Sequence, residues 1–184
     1  LDALSEGGSN VYVRPESAQN GPDQFKEVNA SPFEMPEWEF DDPTLQRNLS
    51  VGGWRRAARV GSVLERFDPP VGEVLTSPFT RCRKTASLYF GQAEVTNDLN
   101  FASQDVDDNA VRQLQRSPED GANRFLFAHS LGSVGLDDLG VESFGEGDMI
   151  VIDPTEPVSS SVVRRLTPVE LIEGIQERSL GESD

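Results

Sequence analysis

Short apolar segments that alternate with helical segments constrain the fold of this chain more than any other feature. The run from Arg124 to Ala128 is apolar, short and bounded by turn residues, which predicts a central buried strand. Similar runs at Ser9 to Val13 and at residues 72–77 predict two further strands. Helices are predicted between them, at residues 49–67 and 78–90. This alternation is typical of an α/β domain, so we expect a three-layer αβα sandwich around a mostly parallel sheet.

The remaining elements are predicted from turn and cap signals. Ser50 is positioned to cap the helix at residues 49–67, and Thr167 to cap a last helix that has proline in its first turn. Residues 149–153 and 161–166 predict a hairpin, and a helix is expected over residues 107–116. All these elements fit within one domain of 184 residues.

A long irregular loop is predicted over residues 18–44. Its composition is rich in proline and polar residues, which disfavours regular structure. Loops of this length are usually lids, binding loops or disordered. Its scattered prolines and aromatics are Pro22, Phe25, Pro32, Phe33, Pro36, Trp38, Phe40 and Pro43.

The charge and cysteine content exclude several classes of function. The net charge is −16, from 32 acidic and 16 basic residues, and it repels nucleic acid phosphates and anionic lipid head groups. We therefore expect no nucleic acid partner and no membrane insertion, and no apolar run approaches the roughly 18 residues of a membrane span. Cys82 is alone, so no internal disulfide can form. The chain starts at Leu1, and both a cytoplasmic location and export after removal of a leader stay open.

Three predicted strand ends carry basic side chains. Arg14 follows the first strand, Arg81 lies in the turn SPFTR after the second, and His129 follows the central one. Ligands of open α/β sheets bind beyond the carboxyl ends of the strands. Guanidinium groups bind phosphate oxygens in pairs, and free amides at the start of a helix at Pro78 would add to the attraction. These residues predict a site for phosphate or a similar oxyanion.

The order of several motifs resembles the histidine phosphatase superfamily, also called phosphoglycerate mutase-like, and in particular its small bacterial branch. The resemblance covers roughly residues 4–172. It rests on the successive segments NVYVRPES, QRNLSVGGWRRA, VLTSPFTRCRKTA, EVTNDLNF, FLFAHS and RRLTP.

The resemblance implies roles for the strand-end residues. Arg14 and Arg81 match the two arginines that clamp the phosphate, and His129 matches the second histidine, which contacts the transferring phosphoryl oxygens. The nucleophilic histidine of the family is replaced by Pro15. The family's proton-donating glutamate falls at Phe101, and Glu16 is a substitute acid only by its proximity.

These roles lead to two hypotheses of function. In the first, the protein is a pseudophosphatase that has lost phosphohistidine catalysis and keeps an oxyanion pocket for a phosphorylated small molecule or a protein partner. In the second, it is a weak phosphomonoester phosphatase that uses His129 or direct attack by water. We expect no cofactor.

Simpler interpretations of the same residues stay open. The two arginines could instead form structural ion pairs with Glu16, Asp41 or Asp42. The acidic pairs Asp107-Asp108 and Asp137-Asp138 lack the spacing of metal ligands, so we expect no metal site. Ser77 and Ser130 have no triad spacing, and helix capping explains each of them.

Overall fold

The computed structural model describes most of the chain but little of the predicted long loop. Of the segment 18–44, only its two ends are among the described residues. The described residues are 1–20, 42, 44–100, 106–119, 121–129 and 137–181.

Strands and helices alternate along the chain as predicted. The strands are β1 (Asn10–Val13), β2 (Val71–Thr76), β3 (Glu94–Val95), β4 (Asn123–Phe127), β5 (Met149–Ile152) and β6 (Val162–Leu166). The helices are α1 (Asp2–Glu6), α2 (Val51–Phe67), α3 (Thr80–Phe90), α4 (Val106–Gln115) and α5 (Pro168–Gly181), with short 3₁₀ turns at Asn97–Leu99 and Val158–Ser160.

The strands form one mixed sheet in the order β3-β2-β4-β1-β5-β6. Strands β1, β2, β3 and β4 pair in parallel, whereas β5 is antiparallel to both β1 and β6. The parallel part and the β5–β6 hairpin confirm the predicted α/β class.

Successive residues of the central strands point into two separate apolar clusters. Val11 and Val13 face a cluster that contains residues of α1, α2, α3 and α5, whereas Tyr12 faces a second cluster that contains Leu114 of α4. The sheet therefore lies between two layers. This arrangement confirms the sandwich and leaves the carboxyl ends of the parallel strands along one edge.

Caps fix where the helices start. The Ser50 hydroxyl accepts a hydrogen bond of 3.0 Å from the amide of Gly53, as predicted. At α5, the Thr167 hydroxyl accepts a bond from the amide of Glu170, while the Glu170 carboxylate accepts one from the amide of Thr167. Helix α3 begins later than the predicted residue 78, because Phe79 is extended and occupies the cap position.

Helices α2 and α3 approach each other closely at Gly61. A Cβ atom at this position would lie 2.0 Å from the carbonyl oxygen of Leu88, so a larger residue would push the helices apart. Within the described part of the chain, no helix combines the length and apolar character needed to cross a bilayer.

Candidate anion-binding site

Three neighbouring strands end at the same level of the sheet. Val13 of β1 and Thr76 of β2 both pair with Phe127 of β4. The pairing continues one residue further, because the amide of Ser77 donates to the Phe127 carbonyl at 2.9 Å and the amide of Ala128 donates to the Val13 carbonyl at 3.3 Å. The residues that follow the three strands therefore leave the sheet side by side.

Arg14 is the first residue beyond β1. Its amide donates to the Asp148 carbonyl at 3.0 Å, and its guanidinium donates to the main-chain carbonyl of Phe144. Within the described ranges, no carboxylate forms an ion pair with Arg14. Its guanidinium is thus held in place by a neutral main-chain acceptor.

Arg81 is the second residue of α3 and is buried, with 5% of its surface exposed. Its guanidinium carbon lies 4.5 Å from the centre of the Phe79 ring, which is the distance of a cation–π contact. The helix therefore holds a buried positive charge directly beside the strand ends.

His129 contacts the same ring. The centres of the His129 and Phe79 rings are 4.4 Å apart, with an angle of 63° between the planes. The residue before His129 is also tied to β1, because the Tyr12 hydroxyl donates to the Ala128 carbonyl at 2.9 Å. Arg81 and His129 thus contact the same ring, and Arg14 lies at the adjoining strand end.

Pro15, at the position predicted for a nucleophile, is buried. Its carbonyl and that of Arg14 both accept a hydrogen bond of 3.2 Å from the amide of Gly147. The proline ring has no lone pair or exchangeable proton, so its side chain offers no nucleophile at this position.

Glu16 is buried, with 1% of its surface exposed, and has partners of its own. Its carboxylate lies 2.9 Å from Nε of Arg56 and accepts a hydrogen bond of 3.4 Å from the Tyr89 hydroxyl. Burial raises the pKa of Glu16, and Arg56 opposes that rise. The ion pair of Glu16 is therefore with Arg56, and not with Arg14 or Arg81 as the simpler interpretation allowed. Its role as an acid stays a prediction.

Two details at the start of α3 differ from the predictions. The amide of Thr80 donates to the side-chain oxygen of Gln46 at 2.8 Å, so the first amide of the helix is occupied and not free for an anion. The Ser77 hydroxyl is buried and has no hydrogen-bond partner within the described part of the chain. It therefore does not cap the helix. A distant glutamine supplies the cap instead.

Two residues of this region were not identified from the sequence. Phe79 gave no signal beyond its place within the turn SPFTR, and Gln46 lies more than thirty positions before the helix it caps. The predicted positions Asp41, Phe101 and Ser130 lie outside the described residues.

Comparison with solved structures identifies the fold. The protein histidine phosphatase SixA in complex with tungstate superposes with a TM-score of 0.56 at 16% identity, over 89% of this chain and 99% of that one. A SixA described as a putative phosphohistidine phosphatase from Agrobacterium tumefaciens gives 0.54 at 13% identity, over 88% and 99%. A phosphoglycerate mutase from Thermus thermophilus gives 0.54 at 15% identity, over 86% and 98%. No model of a protein family and no curated protein sequence matches the chain.

Proposed function

From the fold, which is that of the histidine phosphatase superfamily, we propose that this protein binds a phosphate group or a similar oxyanion with Arg14, Arg81 and His129. We also propose that it does not carry out phosphohistidine catalysis, because Pro15 occupies the position of the nucleophile. The ligand would be a phosphorylated small molecule or a phosphorylated group on a protein.

The contact of Arg81 and His129 with one ring is the observation that carries the proposal. Arg81 and His129, which follow two neighbouring strands, each lie within 4.5 Å of the Phe79 ring centre. Arg14 adds a guanidinium that is anchored to a carbonyl group and has no carboxylate partner in the described part of the chain. Tungstate, the ligand in one of the similar structures, is a tetrahedral oxyanion of the kind that such a set of donors recognises.

The chemistry of proline supports the second half of the proposal. Phosphoryl transfer to the protein requires a lone pair that attacks phosphorus, and proline within a chain has none to give. Loss of a nucleophile typically lowers the rate by a factor of about 10⁴ to 10⁶, because only binding and electrostatic stabilisation are left. Binding of the anion needs no nucleophile and would persist.

The test is the turnover of p-nitrophenyl phosphate by the native protein and by Pro15→His. We expect no turnover above buffer for the native protein, measurable turnover for Pro15→His, and none for Pro15→Ala, which removes the ring without adding a nucleophile. The gain should disappear in the double variant Pro15→His/Arg81→Ala. Equal turnover by the native protein and Pro15→His, lost in His129→Ala, would overturn the proposal in favour of a weak phosphatase.

Pro15 is buried, so the histidine variant must first be shown to fold by circular dichroism. A second measurement needs only the native protein. After incubation with a ³²P-labelled phosphoryl donor such as acetyl phosphate, no acid-labile phosphate should be trapped on the chain. A covalent phosphohistidine on the native protein would overturn the proposed loss of catalysis.

A further inference from the structure

One section of this acidic protein has the opposite charge. Residues 44–90 contain eight basic and three acidic side chains, a net charge of +5 in a chain of −16. The section comprises α2, β2 and α3 and so includes two helices of one helical layer. The basic residues are Arg47, Arg55, Arg56, Arg59, Arg66, Arg81, Arg83 and Lys84, and the acidic ones are Glu65, Asp68 and Glu73.

The first two turns of α2 expose large apolar side chains within this basic section. Trp54 is 53% exposed and Val51 is 71% exposed, and they lie three residues apart on the helix. Residues three apart project from one face of a helix. The opposite face is the one that packs in the core, with Val60 and Leu64 buried. An exposed tryptophan beside a second exposed apolar side chain is typical of a binding surface.

Two exposed arginines flank this apolar pair. Arg55 and Arg59 lie one turn apart, and among the described residues neither forms an ion pair or a side-chain hydrogen bond. Arg56 differs, because it is paired with Glu16 and with the Ser17 hydroxyl. The charge of the exposed face is therefore not neutralised by neighbouring carboxylates of the described chain.

This face begins beside the loop that leaves the candidate anion site. The amide of Ser50 donates to the Ser17 carbonyl at 2.8 Å, and the two hydroxyl oxygens are 3.0 Å apart. Ser17 is only three residues beyond Arg14. A partner bound along the start of α2 would therefore lie near the strand ends.

We propose that the face formed by Val51, Trp54, Arg55 and Arg59, the α2 face, is a docking surface for an acidic protein segment that also carries an apolar side chain. Charge complementarity selects the partner: the arginines attract carboxylates, and Trp54 with Val51 offers a contact for the apolar group. The remainder of the chain carries strong negative charge, which disfavours the extended phosphate backbone of a nucleic acid.

The test is a selection from a random library of 12-residue peptides on the native protein, followed by fluorescence anisotropy with the selected peptide. We expect the selected sequences to combine Asp or Glu with aromatic or aliphatic residues. The double variant Arg55→Glu/Arg59→Glu should weaken binding at least tenfold, and Trp54→Ala by a similar factor. Raising NaCl from 50 to 500 mM should also weaken binding, because salt screens exposed charges.

Two controls separate binding at the α2 face from a general effect of charge and from binding at the anion site. Arg164→Glu removes an exposed arginine of β6 and should change the affinity less than twofold. The double variant Arg55→Glu/Arg59→Glu should keep the thermal shift of the native protein with inorganic phosphate, so failure of the anion site and failure of the α2 face are distinguishable. The substituted residues of the α2 face are exposed, so their variants should keep the native melting temperature.

Several results would overturn the proposal. The library could yield no binding peptide, or it could yield basic or uncharged peptides. The double arginine variant could also bind the selected peptide as tightly as the native protein does. Self-association in sedimentation velocity that Trp54→Ala abolishes would assign the α2 face to a second copy of this chain. Tighter binding of a single-stranded oligonucleotide than of the acidic peptides would equally reject an acidic protein segment.

Discussion

Arg81 and His129, which are 48 positions apart in the sequence, contact the same phenyl ring. The guanidinium carbon of Arg81 lies 4.5 Å from the centre of Phe79, and the imidazole centre of His129 lies 4.4 Å from it. Phe79 is only 3% exposed, so both groups contact a buried ring. The proposed oxyanion site at these strand ends predicts binding that can be measured directly.

Inorganic phosphate and tungstate should raise the melting temperature of the native protein. At a ligand concentration ten times the Kd, the stabilisation is about 1.4 kcal/mol, which corresponds to roughly 3–6 °C for a domain of this size. Arg81→Ala should abolish the shift, measured by differential scanning fluorimetry. Arg83→Ala, which removes an exposed arginine two residues further along α3, should retain it. No shift in the native protein at millimolar anion would argue against the site.

Substitution of two carboxylates by glutamine should change stability with opposite dependence on pH. Burial raises the pKa of Glu16 above the ordinary glutamate value, so the ionised group costs stability as pH rises through that raised value. Glu73 is also desolvated, but its hydrogen bond and ion pair with Arg124, assisted by Arg116, lower its pKa. The stability that ionised Glu73 contributes is therefore fully present above the ordinary pKa of glutamate, and it is lost as pH falls through the lowered pKa.

We therefore expect the difference in melting temperature between Glu16→Gln and the native protein to be more positive at pH 7.5 than at pH 4. For Glu73→Gln, the difference in melting temperature from the native protein should be more negative at pH 7.5 than at pH 4. Each variant is the control for the other, because both remove one negative charge. Parallel changes in the two variants would show that net charge, and not the local environment, determines the effect.

Arg124 should be among the most sensitive positions for stability. It is 1% exposed, and its guanidinium donates to Glu73, to the side chain of Asn10 and to the side chain of Gln113. Arg124→Ala leaves the buried side-chain oxygens of Asn10 and Gln113 without this donor and removes the buried partner of Glu73, for which we expect a loss of about 3–5 kcal/mol in the free energy of unfolding. Arg116→Ala removes an exposed partner of the same glutamate and should cost about 1 kcal/mol or less. Urea denaturation measures both, and similar losses in the two variants would contradict the buried network.

The contact between α2 and α3 depends on the absence of a side chain at Gly61. A Cβ at this position meets the Leu88 carbonyl oxygen at 2.0 Å, so Gly61→Ala should destabilise the protein by about 1–3 kcal/mol. Gly52 lies on the same helix, and a Cβ there would lie 3.8 Å from its nearest neighbour, the Ser50 hydroxyl. Gly52→Ala should therefore be neutral or stabilising by up to about 1 kcal/mol, because alanine favours the helix. Thermal denaturation of the two variants compares them directly, and equal stability would mean that the helices adjust to the added methyl group.

The sequence predicted those parts of the fold that depend on local signals. Ser50 and Thr167 were identified as caps because a hydroxyl before a helical pattern accepts a nearby amide, and both contacts are present. A central strand is predicted over Arg124 to Ala128 because a short apolar run between turn residues is best buried in a sheet, and the strand is present at Asn123–Phe127. The short helix at Asp2–Glu6 was not predicted, since a single turn of helix has little periodicity to detect.

The sequence by itself determined which chemical groups follow the strands: two arginines, one histidine, and at residue 15 a proline whose side chain offers no nucleophile. The tertiary structure alone decided which of these groups meet, because register and helix packing join residues far apart in the chain. It joined Glu16 to Arg56, 40 positions away, and the side chain of Gln46 to the amide of Thr80, 34 positions away. Such pairings depend on distance and desolvation in three dimensions, which no local pattern of residue types encodes.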